Sequence, residues 1–250
     1  MKSFKANKTH LCITSASVEK QSKPDNVVSN ARTMKVMRST LAGLPILCPQ
    51  WVTACLSEGE IVAPTGEMSI RTLPRKKQDD NDDECDDGFG VAKYAAAFQK
   101  GMHSNTLLSG VEVSMCGSFG GSSANDIKGL LQDAGATIIS SVSAASRMLS
   151  DMSSSEADTT LVFLCDDSVL DKSCGISDSM YKQAKKVCDE SEDAKVMAVH
   201  FSWLFDCISC ATVMPATSYE PIAPRAKALW RLAAGGGAEE EDQGKKSQFY

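Results

Sequence analysis

Apolar residues recur along this chain with two different periods, and each change of period marks an element boundary. From Ala31 to Gly59 the sequence runs ARTMKVMRSTLAGLPILCPQWVTACLSEG. Met34, Met37, Leu41 and Leu44 fall at three- and four-residue steps, the spacing of one buried helical face. Gly43 and Pro45 end that helix, because glycine suits the turn after a helix and proline cannot continue one. The short apolar run Ile46-Leu47-Cys48 predicts a strand. A second helix follows, opened by Pro49 and Trp51, with Trp51, Val52, Cys55 and Leu56 on a single face.

That face returns 152 residues later, where Trp203, Leu204, Cys207 and Ile208 repeat it position for position after the apolar strand Val196 to Val199. Upstream, the strand-like Thr9 to Thr14 (THLCIT) lies 42 residues before Trp51, and Thr159 to Leu164 (TTLVFL) lies 44 residues before Trp203. Strand, helix, strand and tryptophan helix in one order twice predict two copies of one α/β unit.

Between these landmarks the pattern is coarser. Ser15 to Asn30 is polar, contains Pro24 and is expected to be a loop, with Ser29 or Asn30 capping the helix that follows. Arg71 to Lys77 is basic and Gln78 to Asp87 strongly acidic, a charge-blocked linker. Val91 to Gln99 is alanine-rich and predicted helical. The second unit then reads as strand Val111 to Cys116, a helix through Ile127, Leu130 and Leu131 ended by Gly135, and strand Thr137 to Ser140. A serine-rich insertion, Ser141 to Asp158, precedes strand Thr159 to Leu164, helix Met180 to Val187, strand Val196 to Val199 and the Trp203 helix, giving the order βαββαβα. A short helix is expected at Arg225 to Leu232, and a polar tail from Gly235 to Tyr250.

Composition narrows the reading. The 250 residues suffice for two domains of about 100 each, and 42% hydrophobic with 23% charged residues is ordinary for a globular chain. A net charge of −6 argues against a surface that coats nucleic acid. The start, MKSFKANKTH, lacks the apolar stretch of a secretory signal, and no run approaches the length of a membrane span. Ten cysteines spread through predicted helices and strands suit a reducing compartment, where thiols pack as small apolar groups.

Strand, helix with a glycine turn, strand, then a helix opening W-V-x-x-C resembles the second half of a BRCT domain, and two copies joined by a linker resemble a tandem BRCT module. ARTMKVM followed by WVTACL, and KVMAVHFSWLFDCISCATVMP, are similar to the repeats of the breast-cancer susceptibility protein and its RING-bearing partner. The resemblance covers roughly residues 7–75 and 105–222. It implies an α/β fold of two BRCT-like units, each a four-stranded parallel sheet flanked by helices, the first N-terminally incomplete. The expected divisions are a partial first repeat at 1–75, an acidic linker and inter-repeat helix at 76–104, a second repeat at 105–222 and a tail at 223–250. Too few residues precede Thr9 for the strand, helix and strand that begin the family fold. A truncated product is therefore expected, with a strand edge and a sheet face left bare.

Arg32, Thr33 and Lys35 open the first predicted helix, where unpaired N–H groups and the helix dipole favour an anion. Taken alone, such residues are usually solvated surface. The resemblance implies more: a Thr and a Lys at these positions hold a phosphoserine, and the Arg belongs to the inter-repeat peptide groove. The family's third phosphate contact, on its first strand, has no counterpart here. On the other side of the groove Gly121 and Ser122 follow Phe119, and Phe201 stands in place of an Arg, so the residue after the phosphate is expected to be read differently. Cys207 and Cys210 form a C-x-x-C inside a predicted helix and, like Trp51 and Trp203, are expected to be core. His10, His103 and His200 are isolated, and the Gly117 to Gly121 loop lacks a nucleotide-loop ending. No catalytic residue, metal ligand or cofactor is implied. The resulting expectation is a non-enzymatic nuclear module of the DNA-damage response that binds a phosphorylated protein, a phosphoserine peptide, and joins chromatin or repair complexes, with no membrane partner. The alternative is a BRCT scaffold that binds DNA ends, poly(ADP-ribose) or chromatin without phosphopeptide recognition. An α/β enzyme is the rival from another class.

Overall fold

Residues Thr160–Cys165 read TLVFLC, apolar at every second position on both faces, as an inner strand of a parallel sheet must be. In the computed structural model they form the second strand of a four-stranded, all-parallel sheet. The structure describes residues 10–18, 27–29, 32–73, 90–100, 107–117, 119, 124–140, 144, 159–166, 170–171, 175–176, 182, 186 and 196–219. The expected linker at 78–87 and the 225–232 helix lie outside them, as does the 141–158 insertion apart from Ala144, which is helical.

The first unit comprises β1 (Cys12–Ile13), β2 (Ala16–Val18), β3 (Val27–Ser29), α1 (Met34–Leu41), β4 (Ile46–Leu47) and α2 (Pro49–Glu58). Helix α3 (Gly90–Gln99) follows. The second unit comprises β5 (Val111–Cys116), α4 (Ala124–Asp133), β6 (Thr137–Ile139), β7 (Thr160–Cys165), β8 (Leu170–Asp171), β9 (Gly175–Ile176), β10 (Val196–His200) and α5 (Ser202–Cys210). Of the predicted helix at Met180 to Val187 only Lys182 and Lys186 are described, and both are helical.

Strand order in the second unit is β10-β7-β5-β6, with Val113 opposite Val162 and Val162 opposite Met197. In the first unit β1 pairs in parallel with β4, Cys12 opposite Ile46, as β7 pairs with β10. The repeat extends beyond the elements themselves. The Trp51 indole donates to the Val62 carbonyl at 2.9 Å, and the Trp203 indole to the Met214 carbonyl at 2.8 Å, each eleven residues ahead.

One apolar cluster joins the units. Cys12, Val36, Met37, Leu41, Ile46 and Ile70 belong to it together with Val113, Ile127, Leu130, Leu131, Val162, Trp203 and Leu204. Helix α1 lies at its centre, packed on α3, α4 and α5.

Three expectations need correction. The polar stretch Ser15 to Asn30 is not all loop: β2 and β3 pair antiparallel, Ala16 opposite Ser29. Helix α1 is capped by Thr33, not by Ser29 or Asn30, because Thr33 itself is extended (φ −71°, ψ 155°) and the helix begins at Met34. Ser29 instead donates its amide to the Thr72 carbonyl at 3.1 Å. Finally, Trp51 is only half-buried and α2 has no fully buried residue, whereas Trp203, Leu204, Cys207 and Ile208 are all buried. The same four-residue face is core in one unit and partly exposed in the other, and among the described residues the parallel sheet of the first unit has two strands where that of the second has four.

This asymmetry sets the cost of truncating each tryptophan. Trp203→Ala is expected to destabilise the fold by about 3–5 kcal/mol, the range for a fully buried aromatic. Trp51→Ala is expected to cost roughly half of that or less, since much of its surface stays in water. Urea denaturation of the two variants checks the order.

Candidate functional site at the junction of the two units

The candidate site grows from the start of α1. Val36, Met37, Thr40 and Leu41 are buried in the junction, which anchors the helix, while Thr33 and Lys35 at its first turn are exposed. The Thr33 hydroxyl oxygen accepts from the Val36 amide at 3.3 Å. Its own proton remains available to donate, since a hydroxyl can do both. The amides of Met34 and Lys35 have no acceptor within the helix, as at any helix start. No acidic side chain stands in the first turn to offset the dipole. The charge of Lys35 reaches β1. Burial pushes the Cys12 thiol up, and a hydrogen bond with Ser39 and the Lys35 ammonium act in the opposite sense.

Arg32, the residue before the cap, crosses to the second unit. Its guanidinium forms an ion pair with Asp206 on α5, whose side chain is only 1% exposed, and lies 5.8 Å from the centroid of the Phe205 ring. Phe205 meets Phe201 edge-on at 5.6 Å, and Phe201 meets Phe119 in the same manner at 6.4 Å. His200 lies tilted against Phe201 at 4.4 Å, with its Nδ1 2.9 Å from the Ser202 hydroxyl. From Arg32 an aromatic wall thus runs across the second unit. Phe119 reaches it from a left-handed backbone position, φ 51°.

A second ion pair crosses the junction from Arg38, six residues further on and within α1. Arg38 lies 3.4 Å from the Asp133 carboxylate and donates to the Asp126 carbonyl at 3.4 Å, both on α4. Gly129 makes room for it, since a Cβ there would sit 2.2 Å from the Arg38 guanidinium. Helix α3 completes the junction. The Lys93 ammonium donates to the Cys210 carbonyl at 3.3 Å, and a Cβ on Gly90 would lie 2.2 Å from the Ser209 carbonyl oxygen.

The structure therefore gathers Arg32, Thr33 and Lys35 at one place but gives them different settings. Arg32 is engaged by Asp206; Thr33 and Lys35 face solvent. Asp206 and Phe205 escaped sequence reading, although a charge inside the apolar run SWLFDCISC was a visible signal. Gly121 and Ser122 lie outside the described residues. Cys207 and Cys210 are buried, as expected. Burial pushes the Cys207 thiol far above its usual range, opposed by the Met214 amide, which donates to its sulfur at 3.2 Å. Among the described residues no group of three or more His, Cys, Asp or Glu is placed to hold a metal ion, and no helix is long and apolar enough to cross a membrane.

No protein-family model and no curated protein matches the chain. Among solved structures, the BRCT5-BRCT6 domains of S. pombe Brc1 align with a TM-score of 0.50 at 12% identity, over 87% of this chain and 99% of that one. The fold is that of paired BRCT repeats. Rtt107p, solved in complex with a phosphorylated histone, aligns with a TM-score of 0.46 at 12% identity, over 85% of this chain and 75% of that one. The likeness is one of BRCT fold and does not single out the breast-cancer protein or its partner.

Two measurements follow from the junction of the BRCT repeats. Arg32→Ala leaves the buried Asp206 carboxylate without its partner and is expected to cost about 3–5 kcal/mol, whereas Arg32→Met combined with Asp206→Leu should recover most of that loss. Thermal denaturation of the single and double variants checks this. Native thiol titration near neutral pH should modify the half-buried Cys55 while leaving Cys207 and Cys210 untouched, because only the thiolate reacts and burial disfavours it.

Proposed function

We propose that this chain is a non-enzymatic recognition module that binds a phosphorylated protein in the nuclear DNA-damage response, with the phosphate at the first turn of α1. The observation that carries the reading is the contrast within one helix. The body of α1 is fixed in the inter-repeat core and its preceding Arg32 is tied to Asp206, yet Thr33 and Lys35 at the tip remain exposed. In this reading a hydroxyl proton, an ammonium and helix-start amides serve one phosphate, and no acidic first-turn residue competes with it. The aromatic wall beyond Arg32 would take the peptide that follows the phosphate, with Phe201 in contact with it rather than a charged side chain.

The test is calorimetric titration of the full chain with a degenerate phosphoserine peptide library and its unphosphorylated twin. A preference for the phosphorylated form is expected. Lys35→Ala should weaken that binding roughly 10- to 150-fold, the worth of one charge-assisted hydrogen bond. Thr33→Ala should weaken it only about 2- to 10-fold, since a neutral hydroxyl bond is weaker. Equal loss for both libraries would assign Lys35 to the fold. Retention of DNA ends or poly(ADP-ribose), with no preference between libraries, would favour a scaffold without phosphopeptide recognition.

A further inference from the structure

Phe201 and Phe205 are half-buried and meet edge-on at 5.6 Å, so each keeps part of its ring open to a further contact. Arg32 links them to the start of α1, its guanidinium 5.8 Å from the Phe205 centroid, and Thr33 and Lys35 stand exposed just after it. A ligand with a phosphate beside Thr33 and Lys35, extended along the wall, passes these rings with the residues that follow the phosphate. Extended chain covers roughly 7–10 Å in two or three residues, the scale of the steps from Arg32 to Phe205 and on to Phe201. Aromatic side chains at those places would complete the ring contacts.

The chain itself holds a segment of that composition. Gly235 to Tyr250 reads GGGAEEEDQGKKSQFY, in which Phe249 and Tyr250 are the sole large apolar side chains. Outside the described residues, Ser247 is the one serine followed by two aromatic residues within three positions. Adjacent aromatic rings in so polar a stretch gain free energy only when some apolar surface covers them. Reach is no obstacle. Ala216–Tyr219 forms a short 3-10 helix packed on β10 and α5, the helix that carries Phe205. Ser247 lies 28 positions after Tyr219, a length of chain that can span up to about 95 Å, several times the roughly 30 Å diameter of a small domain.

We infer that Ser247 to Tyr250 is an intramolecular ligand that regulates the junction site. Phosphorylated on its oxygen, Ser247 takes the place of a partner's phosphoserine beside Thr33 and Lys35, and Phe249 and Tyr250 cover Phe205 and Phe201. The modification is a phosphoryl transfer from ATP by a protein kinase: the Ser247 oxygen bonds the γ-phosphorus, its proton passes to the kinase's base and ADP leaves. Attachment to the same chain gives the segment a local concentration that a free protein must exceed, so the phosphorylated chain closes its own groove. The inference rests on phosphate binding at the first turn of α1.

The test uses the full chain in two forms, one carrying phosphoserine at position 247, introduced by ligation, and one unmodified. Each is titrated with the degenerate phosphoserine library. The unmodified chain should bind the library, and the phosphorylated chain should bind it roughly tenfold or more weakly. Phe249→Ala combined with Tyr250→Ala in the phosphorylated chain should restore most of that binding, and sedimentation should show monomers throughout. Equal binding by both forms would overturn the inference while the reading of the site stands. No binding by the unmodified chain would overturn both. A loss that the double variant does not relieve would remove the aromatic contact on which the inference depends. A loss accompanied by concentration-dependent dimers would make a second copy the occupant and overturn the intramolecular ligand.

Discussion

Helix α1 has only eight residues, too few to hold its shape alone in water, and the rest of the structure depends on its burial. It is packed by α3, α4 and α5 at once, so Val36, Met37 and Leu41 lie inside a core to which both units contribute. The stability of the helix and the relative placement of the two repeats are therefore one property. Whatever loosens α1 also moves the first unit against the second, and with it every side chain at the helix tip.

The charged contacts at the junction act as selectors of register more than as sources of stability. A buried ion pair repays little of its desolvation, but an unpaired buried charge is costly. Asp206 in the apolar α5 therefore accepts only arrangements that bring Arg32 to it. Arg38, laid across Gly129 towards Asp133, sets the second point of attachment. One point just before the helix and one within it fix its rotation as well as its position. That placement leaves Thr33 and Lys35 exposed and puts the Arg32 guanidinium against Phe205.

The two repeats share strands, helices and even the tryptophan-to-carbonyl bond, yet they differ in completeness among the described residues. The parallel sheet has four strands in the second unit and two in the first, and equivalent side chains meet different surroundings. Where α5 carries Phe205, Asp206 and Ser209, α2 carries Thr53, Ala54 and Ser57, and Val52 and Leu56 are exposed where Leu204 and Ile208 are buried.

Much of this was legible in the sequence. The spacing of Met34, Met37 and Leu41 marked α1, the apolar run TTLVFL marked a strand, and the return of W-x-x-x-C marked the repeat, because local periodicity reports which residues share a face. Arg32, Thr33 and Lys35 were legible as a helix start from the same pattern. Burial against a particular neighbour was not. Trp51 and Trp203 stand in matching sequence contexts, yet one is half-exposed and the other core. The β2–β3 pairing inside a polar stretch and the engagement of Arg32 by Asp206, 174 residues away, likewise rest on contacts beyond the reach of local periodicity. Periodicity is a property of a few turns of chain, whereas pairing across the junction is settled by the packing of α1 between both units.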